Sequence, residues 1–319
     1  MKLDSVRSFK QELADRYAAG VTELDPPMAR FFEATDPQHY DSISLGVALK
    51  AGAALSDFVV SIRSSDPAAA DRIAALAHGE ADVRIIPSID ARSTPQWLQA
   101  RRDPLECGVQ VGLQAKNSVG TLGCIVRDNM GRPYALSNSH VFADGGKAPI
   151  GSFVTQSGKS SAEIIGVLDR FIPYSGSTPN LVDCAVVRLA KVRILPRHNL
   201  AIGGDIRGVR VVTPDDLGAH VFKVGRTTGI STGKITSVEM DNLPVNMGDS
   251  VPRFSDQIEI SGGPAADFSA PGDSGSLILD AAGWAVGLLF AGGRDGKGED
   301  FTYANQLSFV LQRLGMVLA

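Results

Sequence analysis

Short apolar segments, separated by glycine, proline, asparagine and aspartate, occupy the chain from about residue 109 onward. Strand-length segments at this spacing are typical of an antiparallel barrel. A first barrel is predicted from the segments 119–127, 134–136, 152–156, 163–171 and 181–189. From His220 a second set follows at 221–224, 233–238, 256–260, 277–279, 284–290 and 300–304. The spacing of Leu307, Val310, Leu311 and Leu314 then predicts a final helix, with Asn305 as its N-cap.

The N-terminal part has a different pattern. Val6, Phe9, Leu13 and Tyr17 share one face of a predicted helix over residues 5–19, which stops at Asp25-Pro26-Pro27. Strand, strand, helix and strand are then predicted at 43–49, 58–62, 68–77 and 83–86. This small α/β module carries no recognisable chemistry, and a connector joins it to the barrels.

Composition is that of an ordinary globular protein and excludes two classes of function. The 319 residues, 44% hydrophobic and 21% charged, suffice for two cores. A net charge of −4 without a basic run argues against a nucleic-acid partner. No apolar run is long enough to span a membrane, and no secretory signal is recognisable.

Cys107, Cys124 and Cys184 form neither a zinc pattern nor a disulfide framework, so we expect a reducing, cytoplasmic location and no metal or cofactor.

One small-residue loop has the composition of an exposed nucleophile. Ala270-Pro271-Gly272-Asp273-Ser274-Gly275-Ser276 runs directly into an apolar segment. Gly275 leaves room beside Ser274 for an approaching backbone, and Gly272 can adopt angles that direct its N–H and that of Ser274 into one oxyanion pocket. Because Gly, Asp and Ser are also common turn residues, the loop alone fits a plain turn equally well.

A serine nucleophile needs a base, and the base needs an orienting group. Among the five histidines only His140 lies where a base is expected, at the end of a strand-like segment that closes in small polar residues. Asp183 is the one acid entering the apolar segment 181–189, where an unpaired carboxylate is costly. The candidate residues therefore follow the order His140, Asp183, Ser274.

These segments resemble the chymotrypsin/trypsin-like serine peptidases. The resemblance rests on Leu136-Ser137-Asn138-Ser139-His140-Val141, on Asp183-Cys184-Ala185-Val186-Val187 and on Gly272-Asp273-Ser274-Gly275-Ser276. The stretch Gly225-Arg226-Thr227-Thr228-Gly229 resembles a bacterial branch related to the plant narrow-leaf trypsin-like proteases. The resemblance covers about residues 106–319.

The resemblance implies a mainly β protein, a double antiparallel β-barrel of two six-stranded barrels with the active cleft between them. With the N-terminal pattern, three domains are predicted: 1–105, 106–215 with His140 and Asp183, and 216–319 with Ser274. The implied activity is that of a serine endopeptidase acting on a protein or peptide. Ser274 attacks, His140 transfers the proton, Asp183 orients His140, and the N–H groups of Gly272 and Ser274 bind the oxyanion.

The same resemblance places the specificity pocket at Phe268, Phe290, Gly292 and Phe301, a shallow apolar pocket for small or aliphatic side chains. In secreted members the acid equivalent to Asp273 often pairs with a new N-terminus made by cleavage. No activation site is recognisable before the first barrel, so we expect a loop that is competent without cleavage. The alternatives are an internal cation or a partner.

Arg226, Cys184 and the N-terminal module lie outside the candidate triad. Arg226 is interpreted as a hairpin residue in a surface ion pair, the alternative being support of the oxyanion loop or of a substrate carboxylate. Cys184 is expected to be a small core residue. Residues 1–105 are interpreted as a structural or regulatory module, with homo-oligomerisation, binding of a regulatory partner, or substrate recruitment as further roles.

Two other classes of function are weighed against the peptidase. The first is a catalytically silent binding or regulatory module with the protease fold. The second is an esterase, which the absence of a Gly-x-Ser-x-Gly elbow disfavours. The absence of a His/Glu pair with ligand spacing argues against a metalloenzyme.

Overall fold

The computed structural model describes residues 1–24, 43–52, 57–64, 66–85, 88–89, 97–116, 119–156, 163–199, 201–262 and 267–319. Its four α-helices are α1 (Leu3–Leu24), α2 (Pro67–Leu76), α3 (Ser139–Phe142) and α4 (Leu307–Leu314). No helix in these ranges has the length and apolar character needed to cross a membrane.

Twenty-three strands are described, most of them short. The N-terminal strands are β1 (Ile43–Leu49), β2 (Phe58–Ser64), β3 (Ala81–Ile85) and β4 (Ser88–Ile89). The middle strands are β5 (Gln110–Leu113), β6 (Val119–Thr121), β7 (Cys124–Arg127), β8 (Pro133–Ser137), β9 (Phe153–Thr155), β10 (Ile164–Phe171), β11 (Ala185–Leu189), β12 (His198–Asn199), β13 (Gly204–Asp205) and β14 (Gly208–Val209). The C-terminal strands are β15 (His220–Gly225), β16 (Gly229–Asp241), β17 (Leu243–Pro244), β18 (Arg253–Phe254), β19 (Gln257–Ser261), β20 (Leu277–Asp280), β21 (Trp284–Arg294), β22 (Asp300–Gln306) and β23 (Val317–Leu318).

Two antiparallel sheets carry the C-terminal two thirds of the chain. The sheet of the second predicted barrel follows the order β15-β20-β21-β22-β19-β16. It closes into a barrel because β16 pairs back with β15. In the first, eight strands follow the order β23-β7-β8-β11-β10-β9-β5-β6. Apolar residues alternate into the two cores, as period-two patterning requires. The predicted fold class, a mainly β double barrel behind a small α/β module, is confirmed.

Three local predictions differ from the structure. The segment 119–127 is two strands, because Leu122 N–H donates to Val109 O and Gly123 N–H to Leu136 O, so the chain changes neighbours there. The strand predicted from 181 begins at Ala185. Asn305 is not the N-cap of α4: it lies in β22, where its amide donates to Gln257 Oε1 at 2.6 Å, and Gln306 is the N-cap.

The N-terminal module is hydrogen-bonded into the second barrel. Its elements follow the predicted order, and β1 pairs antiparallel with β16. Val6 and Leu13 of α1 are buried in the same core as the second barrel. The predicted domain boundaries stay a prediction. The pairing of β1 with β16 joins strands from both sides of the boundary placed at residue 105 into one sheet. The predicted helix stop at 25–27 lies outside the described residues, as does the side chain of Tyr17.

A buried ion pair joins this module to the barrel. Arg63 of β2 is 2% exposed, and its Nε and Nη2 donate to the two oxygens of Glu259 at 2.8 and 2.9 Å. Glu259 is fully buried and also accepts from Tyr303 Oη at 3.0 Å and Thr236 Oγ1 at 2.9 Å. Arg63 Nη2 also donates to Asp82 at 2.9 Å. The module therefore neutralises a carboxylate inside the barrel.

Replacing Arg63 by methionine should lower the free energy of unfolding by about 3–5 kcal/mol, because Glu259 stays buried without its cation. Urea unfolding measures the loss. The double variant Arg63→Met, Glu259→Gln removes both charges and should recover most of it. Equal losses in the single and double variants would mean that the ion pair is not what couples the module to the barrel.

Candidate active site

His140 and Asp183 form a short, oriented pair. β8 ends at Ser137, and α3 begins directly after it, so His140 leaves the sheet within one helical turn. His140 Nδ1 lies 2.5 Å from Asp183 Oδ2. Asp183 is fully buried, whereas the His140 side chain is 16% exposed. A buried carboxylate on Nδ1 holds the imidazole with Nε2 turned away from it, the arrangement that a general base requires.

Several donors hold Asp183 in place. Its Oδ1 accepts from Ser139 N at 2.7 Å and from Tyr174 Oη at 2.9 Å. Its own N–H donates to Asn305 Oδ1 at 2.9 Å, and its carbonyl accepts from Asn138 Nδ2 at 2.8 Å. Burial, and then the adjacent Asp183 charge, raises the pKa of Tyr174, which keeps this phenol a hydrogen-bond donor. The carboxylate is thus satisfied on both oxygens.

Ser274 is brought next to this pair through Gly120. A Cβ built on Gly120 would lie 2.5 Å from Val141 Cγ2 and 2.8 Å from Ser274 O, so the residue after His140 and the backbone of Ser274 contact the same glycine. Thr121 N–H donates to Ser274 O at 2.8 Å. His140 Nε2 is buried and has no hydrogen-bond partner among the described residues. The structure therefore pairs His140 with Asp183 and brings the segment that carries His140 next to the backbone of Ser274.

The loop before Ser274 is a tight turn built by its own sequence. Asp273 N–H donates to Ala270 O at 3.0 Å, and Gly272 has φ 100°. Proline second and a positive-φ glycine third are the residues of a type II turn. Thr227 Oγ1 donates to Pro271 O at 2.8 Å. Because a trans peptide is planar, this bond fixes the Gly272 N–H in the opposite direction.

The two candidate oxyanion donors are the N–H groups of Gly272 and Ser274. Within the described ranges, neither the N–H of Gly272 nor that of Ser274 donates a hydrogen bond. Ser276 N–H donates to Asp273 O at 2.9 Å, which fixes the Ser274 N–H as the Thr227 bond fixes that of Gly272. Two buried, directed and unused N–H groups beside a serine are suited to a developing negative charge.

Asp273, whose partner was left open, pairs with a lysine from β15. Lys223 and Asp273 are both fully buried, and Lys223 Nζ lies 3.1 Å from Asp273 Oδ2. Asp273 also accepts from Thr227 N at 2.9 Å, Thr228 Oγ1 at 2.7 Å and Ala270 N at 3.0 Å. Burial raises the pKa of Asp273, but Lys223 and these donors outweigh it, so its pKa lies below the usual value. An internal cation is therefore present at this acid.

Arg226 is not the surface residue that the sequence suggested. It is 4% exposed, so the interpretation as a surface ion pair is wrong. Its Nε donates to Gln110 Oε1 at 2.8 Å in the first sheet, and its N–H donates to Thr121 Oγ1 at 3.0 Å. Thr121 Oγ1 in turn donates to Gly272 O at 2.9 Å. Arg226 thus connects the first sheet to the backbone of the Ser274 loop.

The four residues predicted to line a specificity pocket belong to different parts of the second barrel, and the pocket itself stays a prediction. Phe268 is fully buried in the core of the second barrel. Phe290 and Phe301 are buried in another cluster, where the Phe290 ring lies 4.7 Å from that of Phe254. Gly292 lies near the C-terminal end of β21, and a Cβ built there would be 3.3 Å from Ser269 Oγ. Cys184 is buried in a core cluster, as expected.

Asp300 of β22 should make stability pH-dependent. Burial raises its pKa from 3.8 to about 6, although Phe268 N–H donates to it at 2.7 Å. A carboxyl with a raised folded-state pKa stabilises below its unfolded value, and this contribution is lost as the pH rises through about 6. Asp300→Asn should therefore gain up to about 3 kcal/mol over the parent chain at pH 8 and little at pH 4. Urea unfolding at both pH values, with exposed Asp71→Asn as control, tests this; an equal difference at both would contradict it.

Sequence reasoning missed several residues of this site. Lys223 had a signal, since it is the one charged residue in the apolar run Val221-Phe222-Lys223-Val224. Thr227 and Thr228 stand in the quoted Gly-Arg-Thr-Thr-Gly stretch without an assigned role. Tyr174 and Asn305 had no signal, because their contacts with Asp183 join distant parts of the chain.

The chain is similar to several known proteins. Solved structures similar to this chain include Nocardiopsis protease (18% identity, TM-score 0.48, 68% of this chain and 99% of that one). Thermobifida fusca Protease A (20%, 0.47, 67% and 99%) and Cellulomonas bogoriensis chymotrypsin (21%, 0.47, 67% and 99%) are others. A comparison with curated proteins gives no match. The family model of trypsin matches residues 99–311, which is more than half of the chain and includes the positions of His140, Asp183 and Ser274, and the chain therefore belongs to the trypsin family of serine proteases.

Proposed function

We propose that this protein is a serine endopeptidase that hydrolyses peptide bonds through an acyl-enzyme, with Ser274, His140 and Asp183 as its triad. The observation that carries the proposal is the 2.5 Å contact between His140 Nδ1 and buried Asp183, in a segment that contacts the same glycine, Gly120, as the Ser274 backbone. A pair arranged in this way orients a base toward a nucleophile.

The reaction follows from these positions. Ser274 Oγ attacks the peptide carbonyl carbon while His140 Nε2 takes the hydroxyl proton, and Asp183 stabilises the imidazolium that forms. The carbonyl π electrons become an oxyanion on the tetrahedral carbon. When the C–N bond breaks, His140 gives its proton to the leaving amine. Water then attacks the ester with His140 as base and releases the acid.

The N–H groups of Gly272 and Ser274 are the proposed oxyanion donors. Thr227, bonded to Pro271 O at 2.8 Å, supports this orientation of the Gly272 N–H. Each such donor is typically worth about 3 kcal/mol in the transition state. Lys223 stabilises the same loop because it neutralises the buried Asp273 carboxylate. We therefore propose that the loop is competent without proteolytic processing, with Lys223 as its internal cation.

β21 supplies a backbone edge for the substrate. Gly275 N–H donates to Leu289 O at 2.8 Å, which anchors the Ser274 loop at one point of β21. The following residues of β21 offer main-chain groups to an extended peptide, the common mode of strand addition. The side chain beside Gly292 is that of Ser269, whose Oγ would lie 3.3 Å from a Cβ built there, and a serine carries no charge that would bind Arg or Lys. We propose a preference for small or aliphatic residues before the scissile bond; profiling that finds a strong preference for Arg or Lys would contradict it.

The alternative function is a catalytically silent binding module. It is favoured by one observation: His140 Nε2 is not hydrogen-bonded to Ser274 Oγ. Catalytic hydrogen bonds are often long before substrate binds. The missing hydrogen bond between His140 and Ser274 is therefore compatible with the peptidase as well.

Fluorophosphonate labelling, read by intact mass, distinguishes the two functions. The peptidase predicts one adduct on the parent chain and none on Ser274→Ala or His140→Ala. No adduct on the intact chain, under conditions that label a known serine peptidase, would support the silent module.

Further assignments have weaker support and belong to the proposal. The Gly225–Gly229 stretch supports placement in the bacterial branch that resembles the plant narrow-leaf proteases. The three cysteines are free and buried, which is consistent with a reducing, cytoplasmic location. For residues 1–105, the pairing of β1 with β16 supports a structural role beside any recruiting, regulatory or oligomerising one.

A further inference from the structure

The edge of β21 beside Ser274 is occupied at both ends by this chain itself. At one end Leu289 exchanges hydrogen bonds with the Ser274 loop: Gly275 N–H donates to Leu289 O at 2.8 Å, and Leu289 N–H donates to Ser276 O at 3.0 Å. At the other end β4 pairs antiparallel with β21, Ile89 opposite Gly293 and Ser88 opposite Arg294. Three residues lie between: Phe290, Ala291 and Gly292.

These three residues have no strand partner on that edge within the described ranges. On their other edge, β22 pairs with two of the three, Ala291 with Tyr303 and Gly292 with Thr302, and the register shifts at Phe290. A stretch between two paired ends, with no described partner on that edge, accepts a peptide of matching length by strand addition. At about 3.4 Å per residue, this stretch spans about 10 Å, or three residues of peptide.

The direction of such a peptide is set by the site. Its scissile carbonyl lies at the Phe290 end, since Ser274 is anchored there through Leu289. An antiparallel peptide then runs with its N-terminal end toward Gly293, where Ile89 already pairs. β4 and the peptide would thus have the same polarity on the same edge, one behind the other.

We propose that β4 closes the substrate strand on its N-terminal side, so that about three residues before the scissile bond fit without displacing it. This inference rests on the proposed function, because it concerns the substrate of the same site. It makes β4 a determinant of substrate length: peptides with a short N-terminal side are preferred, and longer chains must compete with β4 for Gly293 and Arg294.

Several contacts keep β4 at this edge. Directly before it, Ile85 O accepts from Gly296 N–H at 2.8 Å, beyond the end of β21. Arg84 Nη1 lies 3.3 Å from Glu299 Oε2, and its guanidinium lies 4.9 Å from the centre of the Phe301 ring. The end of β3 is therefore attached to the turn between β21 and β22, which places β4 at the edge without any bound peptide.

A length series of peptides tests the proposal. Fluorogenic substrates share three alanines before the scissile bond, are all N-acetylated, and carry zero, two or four additional residues at the N-terminal side. For the parent chain we expect kcat/KM to fall about tenfold or more from the first to the second peptide, since β4 must give up backbone hydrogen bonds.

Two double variants separate backbone pairing from side-chain effects. Ser88→Pro, Ile89→Pro removes both N–H donors and should bring the longer peptides to within about threefold of the shortest. Ser88→Ala, Ile89→Ala keeps the backbone and should retain the parent pattern. If the proline variant does not fold, Arg84→Gln loosens the attachment without altering β4 and should reduce the length penalty.

The outcomes are distinct. A kcat/KM that is flat or rises with length in the parent chain would overturn the inference, whatever the variants do. The same holds if the folded proline variant keeps the parent's length penalty. No hydrolysis of any peptide, together with no fluorophosphonate adduct, would overturn the proposed function and this inference with it.

Discussion

Replacing Ser274 by alanine is expected to lower kcat by about 10⁶-fold, the loss seen when a triad protease is deprived of its nucleophile. The acyl-enzyme cannot form without Ser274 Oγ, and only oxyanion binding and positioning remain. His140→Ala should cost about as much, because the hydroxyl is not a nucleophile until its proton is taken. Initial rates on a fluorogenic peptide, with active sites titrated by fluorophosphonate, measure both losses.

The pattern among variants is more telling than any single loss. Ser274→Ala combined with His140→Ala should be no worse than either alone, since the residues act as a unit. Asp183→Asn should lose about 10⁴-fold through the wrong imidazole tautomer. Ser276→Ala is the matched control, a buried serine of the same loop whose hydroxyl has no partner among the described residues, and it should stay within a few-fold of the parent. Substantial turnover by Ser274→Ala would remove Ser274 from the mechanism.

Lys223→Met is expected to lower kcat/KM by about 10²–10³-fold, the effect of losing one oxyanion donor. Asp273 would remain buried without its cation, and the Ala270–Asp273 turn that directs the Gly272 N–H would rearrange. The free energy of unfolding should fall by about 3–5 kcal/mol for the same reason. Peptide kinetics and urea unfolding of the same preparations measure both effects.

A double variant separates loop geometry from stability. Lys223→Met, Asp273→Asn removes both buried charges and should recover most of the stability. It should recover activity only as far as the Asn oxygen still accepts from Thr227 and Thr228, which now donate to Asp273 at 2.9 and 2.7 Å. Lys234→Met, an exposed lysine on the neighbouring β16, is the control and should change neither quantity. Full activity of Lys223→Met would show that the loop does not depend on this cation.

Much of the candidate site was predictable because its parts are local in sequence. Pro271-Gly272 encodes a type II turn, and the structure has Gly272 at φ 100°. Gly275 also has a positive φ, and a Cβ there would lie 2.1 Å from Ser137 Oγ, so a side chain would separate the two segments that carry Ser274 and His140. The predicted buried face of α4 is likewise encoded by helical spacing and is confirmed.

What escaped prediction depends on contacts between distant segments. Asn305 satisfies every local criterion for an N-cap, yet β22 extends through it because Gln257 and Asp183 use its amide. The Arg63–Glu259 pair likewise joins residues far apart in the chain. The apolar runs at 43–49 and 58–62 predict strands, and both strands are buried almost throughout, but the runs do not show that β1 adds to β16.

The sequence by itself determined the family, the mainly β class, and the three segments that carry His140, Asp183 and Ser274. Turn chemistry and side-chain periodicity act over a few residues, so they can be read without the fold. Only the tertiary structure decided that Lys223 neutralises Asp273 and that Ser88 and Ile89 lie beside Gly293 and Arg294. The cost of a buried charge requires that some partner exists, and the backbone groups of a strand edge accept any extended segment; which partner and which segment are chosen depends on the assembled barrels.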